Sequence, residues 1–267
     1  MTPGPAVGTL PPMKIATWNV NSIRARLPRL LDWLGRVKPD VVCLQEIKVP
    51  KDDFPFEELL ALGYHAAVLG QRTYNGVAIL AQVEPADVDY GMGPEDADEQ
   101  ARLIAATVDG IRFISAYFPN GQAVGSDKWE YKLEWVRRLQ AHLATNYDPT
   151  GPLVLCGDFN VAPDDRDVFR PEEWGGSVLC HPDARAALAD LSQWGFVDAI
   201  RLYHEGPGPY SWWDYRMLAF PKGNGLRIDH FFVSQTVADR CLGAWVERNE
   251  RKGKLPSDHA PVMIELA

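Results

Sequence analysis

Short apolar runs, each stopping at or beside an Asn, Glu, Tyr, Asp or His, recur along this chain with few amphipathic helical stretches between them. A regular alternation of strand and helix is therefore a poor fit, because parallel neighbours need a long crossover after nearly every strand. Several runs here are joined directly: Asp109-Gly110 is a tight-hairpin pair between Arg102–Val108 and Ile111–Phe118. The pattern predicts further strands at Lys14–Asn21, Val41–Gln45, Tyr64–Leu69, Gly76–Ala81, Leu153–Cys156, Arg227–Ser234 and Pro261–Leu266. In the last of these, Val262, Ile264 and Leu266 alternate inward. Leu27, Leu30, Leu31 and Leu34 recur at i, i+3, i+4 and i+7, one face of a helix that Lys38-Pro39-Asp40 closes. Trp129, Leu133, Val136, Gln140 and Leu143 mark a second helix, and Ala184–Trp194, capped by Gly195, a third. Two packed sheets with helices on their outer faces, an α/β fold, suit this inventory best.

A chain of 267 residues without an internal repeat or long linker is expected to form one domain, here 13–267. Residues 1–12 read as a disordered leader, with Met13 as an alternative start of translation. That stretch lacks the basic and apolar regions of a secretion signal. No apolar run approaches bilayer length, so the expectation is a cytoplasmic protein without membrane contact. Cys43, Cys156, Cys180 and Cys241 lie far apart without a C-x-x-C pair, which points away from zinc and redox chemistry. A net charge of −9 argues against a protein held on nucleic acid by diffuse positive charge alone. It leaves room for a metal-dependent site with a local basic rim.

The polar ends of the runs carry the chemistry. Trp18-Asn19-Val20-Asn21, Gln45-Glu46, Tyr117-Phe118-Pro119-Asn120, Gly157-Asp158-Phe159-Asn160, Arg227-Ile228-Asp229-His230 and Ser257-Asp258-His259 each set such a side chain at or beside a strand. Taken singly, Gly-Asp and Ser-Asp are common turn pairs, and a lone Glu after a strand is usually solvated. If the six segments meet on one edge, they form a pocket of hard oxygen ligands suited to Mg²⁺. The acidic stretch 95–99 reads as a solvated loop, and the remaining histidines show no ligand spacing.

WNVN, LQE, YFPNG, GDFN, RIDH and SDHAP in this order resemble the exonuclease III / AP endonuclease family of the endonuclease–exonuclease–phosphatase superfamily. The resemblance runs from about Met13 to the C-terminus, and WNVNSIRAR, GDFNVAP, SWWDYR and GLRIDH match the exonuclease III branch. It implies a four-layer sandwich of the deoxyribonuclease I type, with two central mixed β-sheets packed face to face and helices outside. It also implies a DNA-repair phosphodiesterase that uses Mg²⁺, or Mn²⁺ in its place, on double-stranded DNA with abasic sites or 3′ ends, working as a monomer. By the same resemblance Glu46 is the principal metal carboxylate, with Asn19 beside it. Asp158 orients or deprotonates the attacking water, and Asn160 bonds the scissile phosphate. Asp229 pairs with His259, Asp258 is a second acidic contact to the metal or its water, and Tyr117 acts at the phosphate as phenol or phenolate. Asp158, Asn160 and His259 also count among the candidate metal contacts.

For DNA contact, Arg24 and Arg26 are the leading candidates, followed by Lys48, Lys128, Arg216, Lys222 and Arg227. Trp212, Trp213 and Leu226 are candidates for an apolar pocket that receives a flipped abasic sugar. Leu226 stands where some family members carry Trp. Rival readings are a superfamily phosphatase or sphingomyelinase, and a non-catalytic DNA-damage binding module. A nucleotide-hydrolysing reading fails for want of a Gly-rich phosphate loop ending in Gly-Lys-Ser or Gly-Lys-Thr.

Overall fold

The structure is a computed structural model that describes residues 12–93, 96 and 98–267, so the expected leader lies almost entirely outside the described residues. Its strands, in chain order, are β1 (Met13–Asn19), β2 (Val41–Gln45), β3 (His65–Leu69), β4 (Val77–Ala81), β5 (Ala86–Tyr90), β6 (Leu103–Val108), β7 (Ile111–Tyr117), β8 (Leu153–Asp158), β9 (Phe196–Asp198), β10 (Asp229–Ser234), β11 (Cys241–Val246) and β12 (Val262–Leu266). They form two six-stranded sheets, ordered β11-β12-β1-β2-β4-β3 and β5-β6-β7-β8-β10-β9. Each sheet is antiparallel except for one central parallel pair, β1 with β2 and β7 with β8.

Strand periodicity divides the core into three layers. Ile15, Cys43 and Ile79 from the first sheet meet Ile104, Phe113, Val154, Cys156 and Phe231 from the second. The alternate residues, such as Ala16, Trp18, Val42 and Leu44, face outward beneath the helix Ile23–Val37. That helix fully buries Ile23, Leu30, Trp33 and Leu34, each worth roughly 1.5–3 kcal/mol against exposure. Ser22 caps its start by accepting from the Ala25 N–H, and Lys38, at φ 51 before Pro39, ends it. The helices Asp127–Asn146 and Pro182–Trp194 cover the outer face of the second sheet. The result is helix, sheet, sheet, helix, the four-layer sandwich that the sequence pattern implies.

Asp109 and Gly110, at φ 47 and 76, make the hairpin turn expected between β6 and β7. Strands β5, β9 and β11 are additions to the sequence expectation. All three lie at sheet edges and are largely exposed or half-buried, so no apolar alternation announces them. Within the acidic stretch, Asp96 and Asp98 are paired rather than simply solvated, while Glu99 is exposed as expected. Asp96 and Asp98 both pair with Arg138, and Asp98 accepts from the Tyr131 hydroxyl at 2.7 Å.

Candidate active site

The sheet topology explains how segments far apart in sequence meet. A parallel pair sends two C-terminal ends to one edge, while the antiparallel neighbours on either side bring their N-terminal ends there. Asn19 therefore lies in register with Gln45, and Tyr117 with Asp158. Asp229, the first residue of β10, is opposite Asp158, and Ser257-Asp258-His259 leads into β12 beside the end of β1. Alternation does the rest. Asn19 shares the inward parity of Ile15 and Thr17, Tyr117 that of Phe113 and Ser115, and Asp158 that of Val154 and Cys156. The cleft is thus the open rim of the inter-sheet core.

Two local features complete it. Gln45 faces the core, where its amide donates to Thr17 Oγ1 and Ser115 Oγ at 3.0 and 3.1 Å, so Glu46 would point outward on a continued strand. A left-handed φ of 51 turns Glu46 back toward the cleft, and Asn160, also left-handed at φ 50, sits in the turn that ends β8. Gly157, at φ 144, lets β7 and β8 approach so closely that a Cβ there would lie 1.9 Å from Ala116 O.

Asn19 sits between the carboxylates, its Nδ2 donating to Glu46 Oε1 at 2.8 Å and Asp158 Oδ2 at 2.9 Å. Asn160 supports Asp158 with its backbone N–H at 2.9 Å and its Nδ2 at 3.3 Å, while Asn120 Nδ2 donates to Asn160 Oδ1 at 2.9 Å. Asp229 receives the Ser211 hydroxyl at 2.6 Å and stands 2.8 Å from His259 Nδ1. The other ring nitrogen of His259 is 3.7 Å from Asp158 Oδ2. Burial, with the charges of Asp229 and Glu46, pushes the Asp158 carboxyl up to about 7 against the opposing pull of His259. Burial alone would lower His259, but Asp229 and Asp158 overcome it and raise the imidazole to about 10. Burial and the neighbouring charges of Glu46 and Asp158 keep Tyr117 a phenol, although the Arg102 guanidinium lies 4.8 Å from its ring centre.

Glu46, Asp158 and His259, three of the candidate metal contacts, bring ligand atoms within 4.8 Å of one another. A buried carboxyl lifted toward neutrality by like charges is a place where a cation relieves repulsion, so the donor set fits a hard divalent ion. Asp229 holds the His259 ring through Nδ1, which leaves its other nitrogen facing Asp158 within this cluster. Asp258 stands beside the cluster, its oxygens accepting from Asn21 Nδ2 and Trp212 Nε1, at 2.9 and 3.0 Å. Asn21, Ser211 and Lys48 join the site unannounced as catalytic neighbours. Lys48 Nζ lies 2.6 Å from Glu46 Oε2 and donates to Asn21 Oδ1 at 2.7 Å, instead of standing on an outer rim. The Asn within WNVN and the Ser before the Trp pair were the available signals, but neither spacing specified a partner.

The DNA-facing candidates divide sharply. Arg24 is exposed and pairs with Asp53, and Arg216 is exposed beside Asp214. Arg26 is a brace, donating to Asn21 O, the Tyr215 hydroxyl and Pro256 O. Arg227 is no DNA contact: fully buried, it binds Asp167 through Nε and Asp198 through Nη2, which also locks the strand leading to Asp229. Leu226, at 1 % exposure, belongs to the core with Val168, and Trp213 is equally buried, so neither lines an open pocket. Trp212 is half-buried and forms isolated β-bridges with Leu226 and His259, which sets its ring next to the cleft.

Paired carboxylates, bridging amides, a phenol and a carboxylate-backed imidazole at the rim of a two-sheet sandwich define a metal-assisted phosphoesterase. The chain belongs to the Endonuclease/Exonuclease/phosphatase family, whose model matches residues 16–259. It is 35 % identical to exodeoxyribonuclease III of Haemophilus influenzae over 266 residues, covering 95 % of this chain and 100 % of that protein. The structure of an AP endonuclease from Archaeoglobus fulgidus superposes with a TM-score of 0.92 at 39 % identity, covering 95 % of this chain and 99 % of the other. A 3′ phosphatase from Neisseria bound to a product DNA hairpin matches at TM-score 0.92 and 41 % identity, covering 96 % and 99 %.

Proposed function

We propose that this protein is a Mg²⁺-dependent DNA-repair phosphodiesterase of the exonuclease III type, with Mn²⁺ as a substitute. It hydrolyses duplex DNA 5′ to abasic sites, removes nucleotides or blocking groups from 3′ ends, or does both. The observation that carries this reading is the contact of two titrating groups with displaced proton affinities, Asp158 and His259, 3.7 Å apart beside Glu46. Asp158, held by Asn19 and Asn160, is assigned the role of orienting the attacking water or taking its proton. His259, kept protonated, directs an N–H toward a phosphate oxygen as negative charge develops, with Asp229 holding its ring. Tyr117 offers a phenolic O–H, and Asn160 keeps Asp158 in place. Glu46 and Asp158, with Asn19 beside them, would hold a divalent cation, whose chemistry would be to offset negative charge on the phosphate.

Arg24, Arg216 and Trp212 are the groups proposed to meet the DNA, and residues 13–267 the single domain that binds it as a monomer. No helix among the described residues is long and apolar enough to cross a membrane, and a cytoplasmic site of action is proposed. Processing of 3′ ends stands beside abasic-site incision because the Neisseria relative is named a 3′ phosphatase.

Two labelled duplexes, one with an internal abasic analogue and one undamaged with a recessed 3′ end, test the proposal. With Mg²⁺, wild-type protein is expected to cut at the lesion, shorten the 3′ end, or both, while Asp158→Asn and chelator-treated enzyme do neither. No cutting of either duplex in Mg²⁺ or Mn²⁺ sinks the nuclease assignment.

A further inference from the structure

The helix Asp127–Asn146 packs its inner face on the second sheet, yet one of its fully buried side chains is a lysine. Lys132 Nζ donates to Asn160 O and Val178 O at 2.7 Å each and to Asn120 O at 3.2 Å. Three acceptors around one nitrogen call for three N–H donors, which lysine has only as the ammonium. Burial pulls its pKa down to about 7, with the charge of Asp158 opposing. The carbonyl dipoles act in the same sense as Asp158. An unpaired buried cation costs several kcal/mol, so space-filling alone favours an apolar residue here.

What the ammonium joins gives it a purpose. The three carbonyls belong to separate segments: the loop after β7, the turn after β8, and the approach to the helix Pro182–Trp194. Asn120 and Asn160 also touch directly, and Asn160, in its left-handed conformation, delivers the N–H that fixes Asp158 Oδ1. Room for the stem comes from Gly121, where a Cβ would meet Lys132 Cδ at 3.0 Å and the Trp129 ring at 3.3 Å.

We infer that Lys132 is a positioning residue for phosphodiester cleavage: by gripping the carbonyls of Asn120, Asn160 and Val178 it fixes the turn in which Asn160 holds Asp158 at the cleft. It acts through Asn160 and touches no substrate, and the inference rests on the nuclease reading of that site. The test compares wild type with Lys132→Met, which removes all donors, and Lys132→Arg, which keeps them. Lys132→Gln, with one amide, stands in if the Met protein does not fold.

With saturating nicked or abasic duplex, Lys132→Met is expected to lose roughly 10- to 100-fold in kcat, as a misplaced catalytic group does, with KM within about threefold. Lys132→Arg recovers most of the rate. Without substrate, hydrogen exchange at the Asn160 amide rises in the Met protein, while central amides of β1 and β2 keep their protection. Wild-type kcat and Asn160 protection in the Met protein, or a loss that Arg does not restore, overturns the inference. The exchange readout separates the two readings. A loosened Asn160 in a protein whose wild type cuts no DNA supports the grip and refutes the nuclease, and intact protection in an active enzyme does the reverse.

Discussion

Alanine at Gly157 puts the spacing of β7 and β8 to the test. The new Cβ would fall 1.9 Å from Ala116 O, whereas side chains essentially never come within 3.0 Å of such a neighbour. Relief requires at least 3.0 − 1.9 = 1.1 Å of movement between the two strands. It also requires an L side chain at φ 144, in a region that glycine alone visits freely. Backbone strain contributes about 1–3 kcal/mol, and overpacking of a closed interface about 1–3 kcal/mol more. The sum, about 2–6 kcal/mol, corresponds to a fall in Tm of roughly 5–20 °C for a chain of this size. The next register pair along is Tyr117 with Asp158, so the displacement enters the cleft directly. A misplacement of about 1 Å costs on the order of 100-fold in rate. Thermal unfolding together with single-turnover cleavage of an abasic duplex measures both effects. A Gly157→Ala protein within about 0.5 kcal/mol of wild type and within about twofold in rate would refute the argument that this contact sets the catalytic geometry.

Other perturbations separate structural from catalytic charge. Arg227→Met leaves Asp198 without its guanidinium and Asp167 with Arg201 alone, and is expected to cost about 3–5 kcal/mol in urea unfolding, leaving the salt dependence of DNA binding unchanged. Arg216→Ala should do the opposite, lowering the slope of log K against log salt by about 1 with no change in unfolding midpoint. Burial, aided by Arg227, holds His230 down to about 4 from 6.5. The unfolded chain then binds the extra proton first, so this contribution is complete above pH 6.5 and is lost as pH falls to 4. His230→Gln is expected to flatten that part of a stability–pH curve, and an unaltered slope contradicts the assignment. Asp229→Asn removes the main support of the His259 proton, so the imidazole should titrate far below 10 by NMR, and an unmoved titration refutes the pairing.

Much of this architecture was legible in the sequence because two-sided strands advertise themselves. Val41–Gln45, Val77–Ala81 and Leu153–Asp158 are buried at every position, and their apolar runs could be read directly. The polar residues closing such runs named the cleft almost completely: Asn19, Glu46, Tyr117, Asp158, Asn160, Asp229 and His259 come together as their order implied. What escaped depends on contacts between distant segments. Arg227 reads as a rim cation until Asp167 and Asp198 enclose it from two other loops. Lys132 interrupts an apolar helix face, and only the fold supplies its three carbonyl partners. The indole of Trp212 and the amide of Asn21, partners that the Ser-Asp-His motif does not specify, hold Asp258 in place.

The strand order of the first sheet has a consequence for how the molecule comes into being. There β12 lies between β11 and β1, and His259 reaches the cleft on the segment that enters β12. During synthesis, which proceeds from the N-terminus, β1 keeps an unpaired edge until residues 262–266 have left the ribosome. The nascent chain thus lacks both its imidazole and the strand that closes the sheet beside it. Cleft and sheet are therefore completed together, and the proposed hydrolysis gains its imidazole only once the segment through residue 259 has joined the fold.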